Sequence, residues 1–304
     1  MIERTPILNA VTHVVLVLGL AISIAPFVIV AIAASHDLVA VNLVPMPLTP
    51  GGHLLENLRE AWTRADLAPK LLNSFVFAGG VALGKVVISA LTAFAIVFFR
   101  FPGRQAIFWA IFITLMLPLE VRIVPTYAVA ADVFEPYRAI LDVTGINALV
   151  EHFTGGRIDL KFGLLNSYAG LILPLVATAT GTFLYRQFFM TIPDELVEAA
   201  KMDGARPIRF FIDVLVPLSI NNVAALATIM FLWAWNQYLW PLLVTTDPSH
   251  ATAVTELKQL IPNVGGIPQW NIAMAGTLIV MTPTLVVVVA MQRWFVRGLI
   301  ATEK

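Results

Sequence analysis

From Val14 to Ala34 the chain runs without one charged residue. At about 1.5 Å of rise per residue, a helix over that run crosses roughly 30 Å of hydrocarbon. Five further apolar runs of comparable length, with at most two charges each, lie near 71–98, 106–128, 165–188, 215–244 and 272–296. Six such segments leave one fold class, an all-α polytopic membrane protein, because lipid accepts only backbone whose polar groups are paired internally. Composition agrees: 59% of the residues are hydrophobic and 12% charged, against about 25% charged in soluble domains. Arg4 precedes the first run as it would in a signal peptide. No small-residue cleavage pattern follows it, and the run is read as a retained first helix. The whole of 1–304 is expected to form one membrane domain.

The composition also excludes classes of chemistry. The chain has no cysteine and a net charge of zero, which removes disulfides, thiolate chemistry and any nucleic-acid partner. The histidines, at 13, 36, 53, 152 and 250, are scattered. No glycine-rich phosphate loop and no metal-ligand spacing occurs, so neither a cofactor nor an ATPase site is expected in this chain.

Within the apolar runs a few features stand out. The fourth, LLNSYAGLILPLVATATGTFLYRQ, is rich in Gly, Ala and Thr, which lets neighbouring helices approach closely. Prolines 26, 118, 174 and 283 lie within or beside spans. Lys85 sits near the middle of the second run, where a charge costs a few kcal/mol. It faces a watery cavity or a carboxylate, or it snorkels to an interface or pairs with a partner subunit. Glu120 and Arg122, placed where the third run meets the external face, fit a local ion pair, a contact with another chain or an external gate. Asn236 and Gln237 lie among tryptophans in the fifth run and fit either a translocation path or an interfacial belt.

Charge bias sets the orientation. Arg100 and Arg104 join the second and third runs without an acid, and Arg293, Arg297 and Lys304 face a lone Glu303 near the C-terminus. Arg186, Lys201, Arg206 and Arg209 flank the fourth connection, whereas the alternate loops are mixed in sign. By the positive-inside rule both termini and the fourth connection are cytoplasmic. The connection at 131–161, then external, holds two short amphipathic pieces, Pro136–Val143 and Asn147–Phe153. It is a variable insertion or a contact surface for a binding protein.

The fourth connection, about 190–213, is a polar island. Asp194, Glu195 and Glu198 place negative charge at a helix N-terminus, with Thr191 available as a cap, and Gly204 supplies a left-handed stop. EAA at 198–200, three residues, Gly204, nine residues and then Val214-Leu-Val216-Pro217 resembles the cytoplasmic EAA loop of bacterial ABC importer permeases. The strings LLNSF, FAIVFFRFPGR, FITLMLPLEVRIVPTY, LNSYAGLILPL, RQFFMTIPDELVEAAKMDGA, WNQYLWPLL and MQRWFVRGL extend the likeness over about 71–299. They resemble the second permease subunit of carbohydrate-uptake importers, the MalG-like family, and the strings MIERTPIL, PMPLTPGGHLLEN, MLPLEVRI and RQFFMTIPDELVEAA resemble a glycerol-phosphate branch within it. Val214 and Val216 stand where that family usually has Ile and Leu, and the insertion at 131–161 departs from the more direct connection the resemblance implies.

The resemblance implies a MetI-like fold in the bacterial inner membrane, with no enzyme activity in this chain. It implies a paired second permease, two copies of a cytoplasmic ATPase that bind ATP and Mg, and a periplasmic substrate-binding protein. Glu198 and Asp203 would make polar contacts at the ATPase cleft, Ala199 and Ala200 would allow close packing there, and Gly204 would turn the chain. The implied cargo is sn-glycerol-3-phosphate or a related glycerophosphodiester or sugar. A neutral sugar or oligosaccharide importer and an ATPase-independent secondary transporter remain the alternatives. A membrane enzyme would show clustered His, Asp or Glu at helix faces, and none is present.

Overall fold

A computed structural model describes residues 6–261 and 266–300, the side chains of 6, 115 and 293–300 excepted. Arg4, and the basic group at 293–304 used above for orientation, lie outside the described side chains. Every regular element among the described residues is a helix. In chain order the principal ones are α1 (Pro6–Ser35), α2 (Leu54–Arg64), α3 (Leu67–Phe98), α4 (Arg104–Met116) and α5 (Leu119–Ala131). There follow α6 (Glu135–Val143), α7 (Ile146–Thr154), α8 (Tyr168–Ile172), α9 (Ala179–Phe189) and α10 (Asp194–Met202). The last are α11 (Pro207–Phe210), α12 (Ile220–Trp235), α13 (Leu239–Val244) and α14 (Trp270–Ile300).

Three helices are continuous and long enough to cross a bilayer: Ile7–Ser35, Leu67–Phe98 and Trp270–Gln292. The other three runs, expected as single helices, are bent pairs. Arg104–Thr114 and Leu119–Ala131 meet at 103°, Tyr168–Leu175 and Ala179–Phe189 at 50°, and Pro207–Leu218 and Ile220–Trp235 at 77°. Taking each pair as one span gives the six expected. Proline accounts for the breaks. Leu117, ahead of Pro118, is extended at φ −65°, ψ 128°, because the residue before a proline is pushed out of the helical region. Pro174 lies in a short 3₁₀ turn. Pro217 follows the π-helical stretch Phe211–Leu215; its ring would clash with the carbonyl four residues back, and local unwinding relieves that clash. The fifth run is interrupted again after Trp235, where the Asn236 amide donates to Leu232 O at 2.8 Å.

The chain folds as two compact units, Met1–Pro69 with Glu256–Pro283, and Lys70–Thr255 with Thr284–Lys304. In the first, α1 exposes apolar side chains along most of its length, such as Ile7, Val15 and Ile22, the surface of a helix bathed in lipid. Its polar centre is Asn57. This buried amide donates to Ala34 O at 2.8 Å and His36 O at 2.7 Å, and accepts from the Asn271 amide at 2.9 Å.

The second unit is organised along α3. Phe77, Ala78 and Val81 pack with Leu119, Leu171, Leu175, Trp235 and Trp240. Further along, Ala82, Val86, Ala90 and Phe94 pack with Tyr185, Phe189, Phe210, Leu226 and Met230. The LLNSF string starts this assembly. The Asn73 amide donates to Ser249 O and Ala251 O at 2.8 and 2.9 Å and its oxygen accepts from Tyr168 OH at 2.6 Å, while Ser74 Oγ accepts from Ala253 N at 2.9 Å. In that loop, hydrogen bonds from Ser249 and the nearby charges of His250 and Lys70 hold the Asp247 carboxyl below its usual range. The small residues of the fourth run serve close approach. A Cβ added at Gly181 would stand 2.4 Å from Ser89 Oγ on α3. Gly181→Leu should therefore lower the stability of the purified protein by about 1–3 kcal/mol, seen as a lower midpoint of thermal unfolding with helical content kept below the transition.

Candidate functional site

Helix α10 begins at the end of α9 and is built as its sequence demands. Asp194 and Glu195 occupy the first turn and Lys201 the last, matching the signs of the helix dipole. Its N-cap is Pro193, not Thr191; the Thr191 hydroxyl instead donates to Phe188 O at 2.7 Å, closing α9. At the other end Gly204 stands at φ 72°. Its N–H donates to Lys201 O at 3.0 Å, and Ala205 N–H donates to Ala200 O at 2.9 Å. These two bonds form a Schellman closure, which needs a residue without a Cβ at that angle.

The two faces of α10 differ. Glu198, Ala199, Asp203 and Gly204 are exposed. Val197, Ala200 and Lys201 line a cavity of about 120 Å³ whose other walls are Phe94, Phe98 and Phe99 at the end of α3, with Ala205, Pro207 and Phe210. Ala200 therefore faces this chain's own aromatic floor, while Ala199 carries the outward position. The floor is continuous: Phe94 to Phe99 5.3 Å edge-on, Phe94 to Phe211 5.0 Å, Phe98 to Phe210 5.5 Å and Phe98 to Phe189 6.0 Å between centroids. Edge-to-face and tilted aromatic pairs at these separations add roughly 0.5–1.5 kcal/mol each beyond burial. Nothing in the periodicity identified this floor, although FAIVFFRF and RFF contain its members. Beyond it, Arg209 and Asp213 form an exposed ion pair at 3.2 Å.

The polar residues within the spans separate into two groups. Lys85 is 6% exposed, and its ammonium lies 3.6 Å from the centroid of the Trp233 ring. It lies one turn beyond Val81, where the two apolar clusters on α3 meet. Arg122 lies in the first turn of α5, just past the bend, flanked by Leu119 and Ile123 of the cluster that also contains Trp233. Its Nε is buried without a hydrogen-bond partner. Neither cation pairs with a carboxylate among the described residues. The local ion pair between Glu120 and Arg122 is not formed: Glu120 is exposed, and residues two apart on a helix point to different faces. Asn236 is exposed and spends its amide on Leu232 O, and Gln237 is half-buried. Lys85, over Trp233, and Arg122, between Leu119 and Ile123, thus border the same apolar cluster, while Glu120 and Asn236 are exposed. Trp233, which no sequence motif marked, completes the cationic group. No group of His, Asp or Glu able to hold a metal exists among the described residues.

Residues 72–301 match the model of the binding-protein-dependent transport system inner membrane component family. This chain belongs to that family. The sn-glycerol-3-phosphate transport system permease protein UgpE of Escherichia coli O157:H7 is 49% identical over 310 aligned residues, covering 100% of both chains. The protein of the same name from Shigella flexneri serotype 5b is 48% identical with the same coverage. A solved bacterial ABC transporter chain, from a system that imports the acidic polysaccharide alginate, matches at a TM-score of 0.73 and 16% identity, covering 97% of this chain and 99% of that one. At that identity the likeness establishes the fold alone, and the fold is that of an ABC importer permease. As a family member this chain is a membrane-embedded transport component.

Gly204 provides a direct check of the α10 closure. Gly204→Val puts a β-branched residue at φ 72°, at a cost of roughly 1–3 kcal/mol. Trypsin should then cut after Lys201 several-fold faster than in the parent protein, while the rest of the digestion pattern stays the same.

Proposed function

We propose that this chain is the permease subunit of an ATP-driven importer carrying sn-glycerol-3-phosphate, or a related glycerophosphodiester or sugar, into the cytoplasm. The observation that carries the reading is α10, an acidic-faced helix standing on an aromatic floor, in a chain aligned end to end with permeases named for that solute. The complex has a second permease, two copies of a cytoplasmic ATPase and a periplasmic binding protein. ATP and Mg belong to the ATPase. The chain lies in the bacterial inner membrane with both termini and α10 on the cytoplasmic side, in keeping with the bias of its arginines and lysines.

On this reading the outward face of α10, Glu198, Ala199 and Asp203, enters a cleft on the ATPase, and Gly204 lets the chain leave that cleft at once. The inward face, Val197 and Ala200, rests on Phe94, Phe98 and Phe210. When ATP closes the ATPase pair, α10 is displaced, and the aromatic floor passes the displacement to α3 and through it to the membrane path. Ala200 thus acts on the transmitting side of the helix and Ala199 on the docking side.

Co-purification of the ATPase with the tagged permease tests the proposal. Charge reversal by Glu198→Lys, or insertion of a side chain by Gly204→Glu, is expected to weaken recovery of the ATPase at least roughly tenfold, since a like or unmatched charge in an interface costs several kcal/mol. Equal recovery of the ATPase with both variants, together with unchanged uptake, would overturn it.

A further inference from the structure

We propose that Lys85 and Arg122 together bind the phosphate group of the solute during its passage, as an anion site inside the membrane. The inference rests on the transport reading above and gives it a chemical basis within this chain.

Lys85 is the nineteenth residue of the 32-residue helix α3, about 20 Å from its Phe98 end at 1.5 Å per residue. Arg122 follows the 13-residue helix α4, which places the bend before it about 20 Å from Arg104. Both cations thus lie within apolar spans, where charges mark substrate or ion pathways when they have no partner. Two like charges at such a depth repel each other and lose hydration. A permanent carboxylate would relieve both effects, yet no described carboxylate pairs with either. What Lys85 has is the face of Trp233 at 3.6 Å. An aromatic face steadies an ammonium without neutralising it, so the positive charge stays available to a passing anion.

The two groups suit a phosphate monoester. Arginine presents a planar fork that matches phosphate oxygens in pairs, and lysine supplies a compact charge. A phosphate monoester carries about −1.5 to −2 charges near neutral pH, enough to meet both cations at once. The buried, unpartnered Arg122 Nε gains a hydrogen bond that a neutral solute with no anionic group cannot supply in charged form. A neutral sugar would leave both cations uncompensated, so the site discriminates by charge as the solute passes. Release follows because hydrated phosphate regains its water at either end of the path.

The test uses the whole transporter, with its second permease, ATPase and binding protein, reconstituted in proteoliposomes and supplied with labelled sn-glycerol-3-phosphate. Lys85→Gln and Arg122→Gln are each expected to lower the maximal uptake rate by roughly tenfold to a hundredfold, the range of one charge-assisted hydrogen bond. The concentration of loaded binding protein giving half-maximal uptake should not change, because docking occurs outside the membrane. Lys85→Arg, which keeps the charge, should retain most of the uptake. Subunit composition by size-exclusion chromatography accompanies each variant. Both Gln variants matching the parent rate would overturn the anion site alone. Loss of the second permease from the Lys85→Gln complex in proportion to lost uptake would also overturn it, because Lys85 then pairs with that subunit. A parent transporter that carries a neutral sugar and no glycerol phosphate would instead overturn the substrate reading on which the site rests.

Discussion

The contact between α10 and the phenylalanine floor is the constraint on which the working of the second unit depends. A nine-residue helix is too short to persist in water by its own propensity, and none of its residues is fully buried. It is held at its end by the Gly204 closure and along one side by Val197 and Ala200 against Phe94, Phe98 and Phe210. Because aromatic side chains are large, with only two rotatable bonds each, such a floor is stiff, and a push on α10 is transmitted instead of absorbed. The floor is also the last part of the cluster that runs up α3 through Phe94, Ala90 and Val86 to Ala82. One straight helix therefore connects the exposed acidic face to the level of Lys85.

Continuity in α3 contrasts with the interruptions around it. The bends at Pro118, beside Pro174 and near Pro217 place irregular backbone inside spans, which lipid tolerates only where other protein groups or a water-filled cavity cover it. Arg122 directly follows one of these bends. A straight helix carrying Lys85 against a bent one carrying Arg122 is an arrangement in which a small shift of α3 changes the separation of two charges. Such a shift also moves Lys85 relative to Trp233. On the proposed reading, a mechanical displacement at α10 becomes an electrostatic change within the membrane.

Much of this was legible in the sequence. The second apolar run marked α3 to within a few residues, because so long an apolar stretch, broken only by Lys85, has no other stable form in lipid. The EAA spacing with Gly204 marked α10 and its stop, because a left-handed turn at a helix end favours glycine. Other features depend on tertiary contacts. Thr191 has the chemistry of a cap, but Pro193 takes that place and the hydroxyl turns back to α9. The letters EAA do not reveal which alanine faces inward, because that depends on helix phase relative to a floor assembled from three separate segments. The prolines were visible, yet their effect on direction was not. Lys85 was conspicuous, but its neighbours Trp233 and Arg122 come from distant segments that no local pattern connects to it.

The central claim is that the floor transmits motion from the ATPase to the membrane path. The most direct measurement is the number of solute molecules imported per ATP hydrolysed by the reconstituted transporter carrying Phe98→Ala with Phe210→Ala. The account requires the ATPase to remain bound and to hydrolyse ATP while imported solute per ATP falls by roughly tenfold. An unchanged ratio in the intact complex would contradict it.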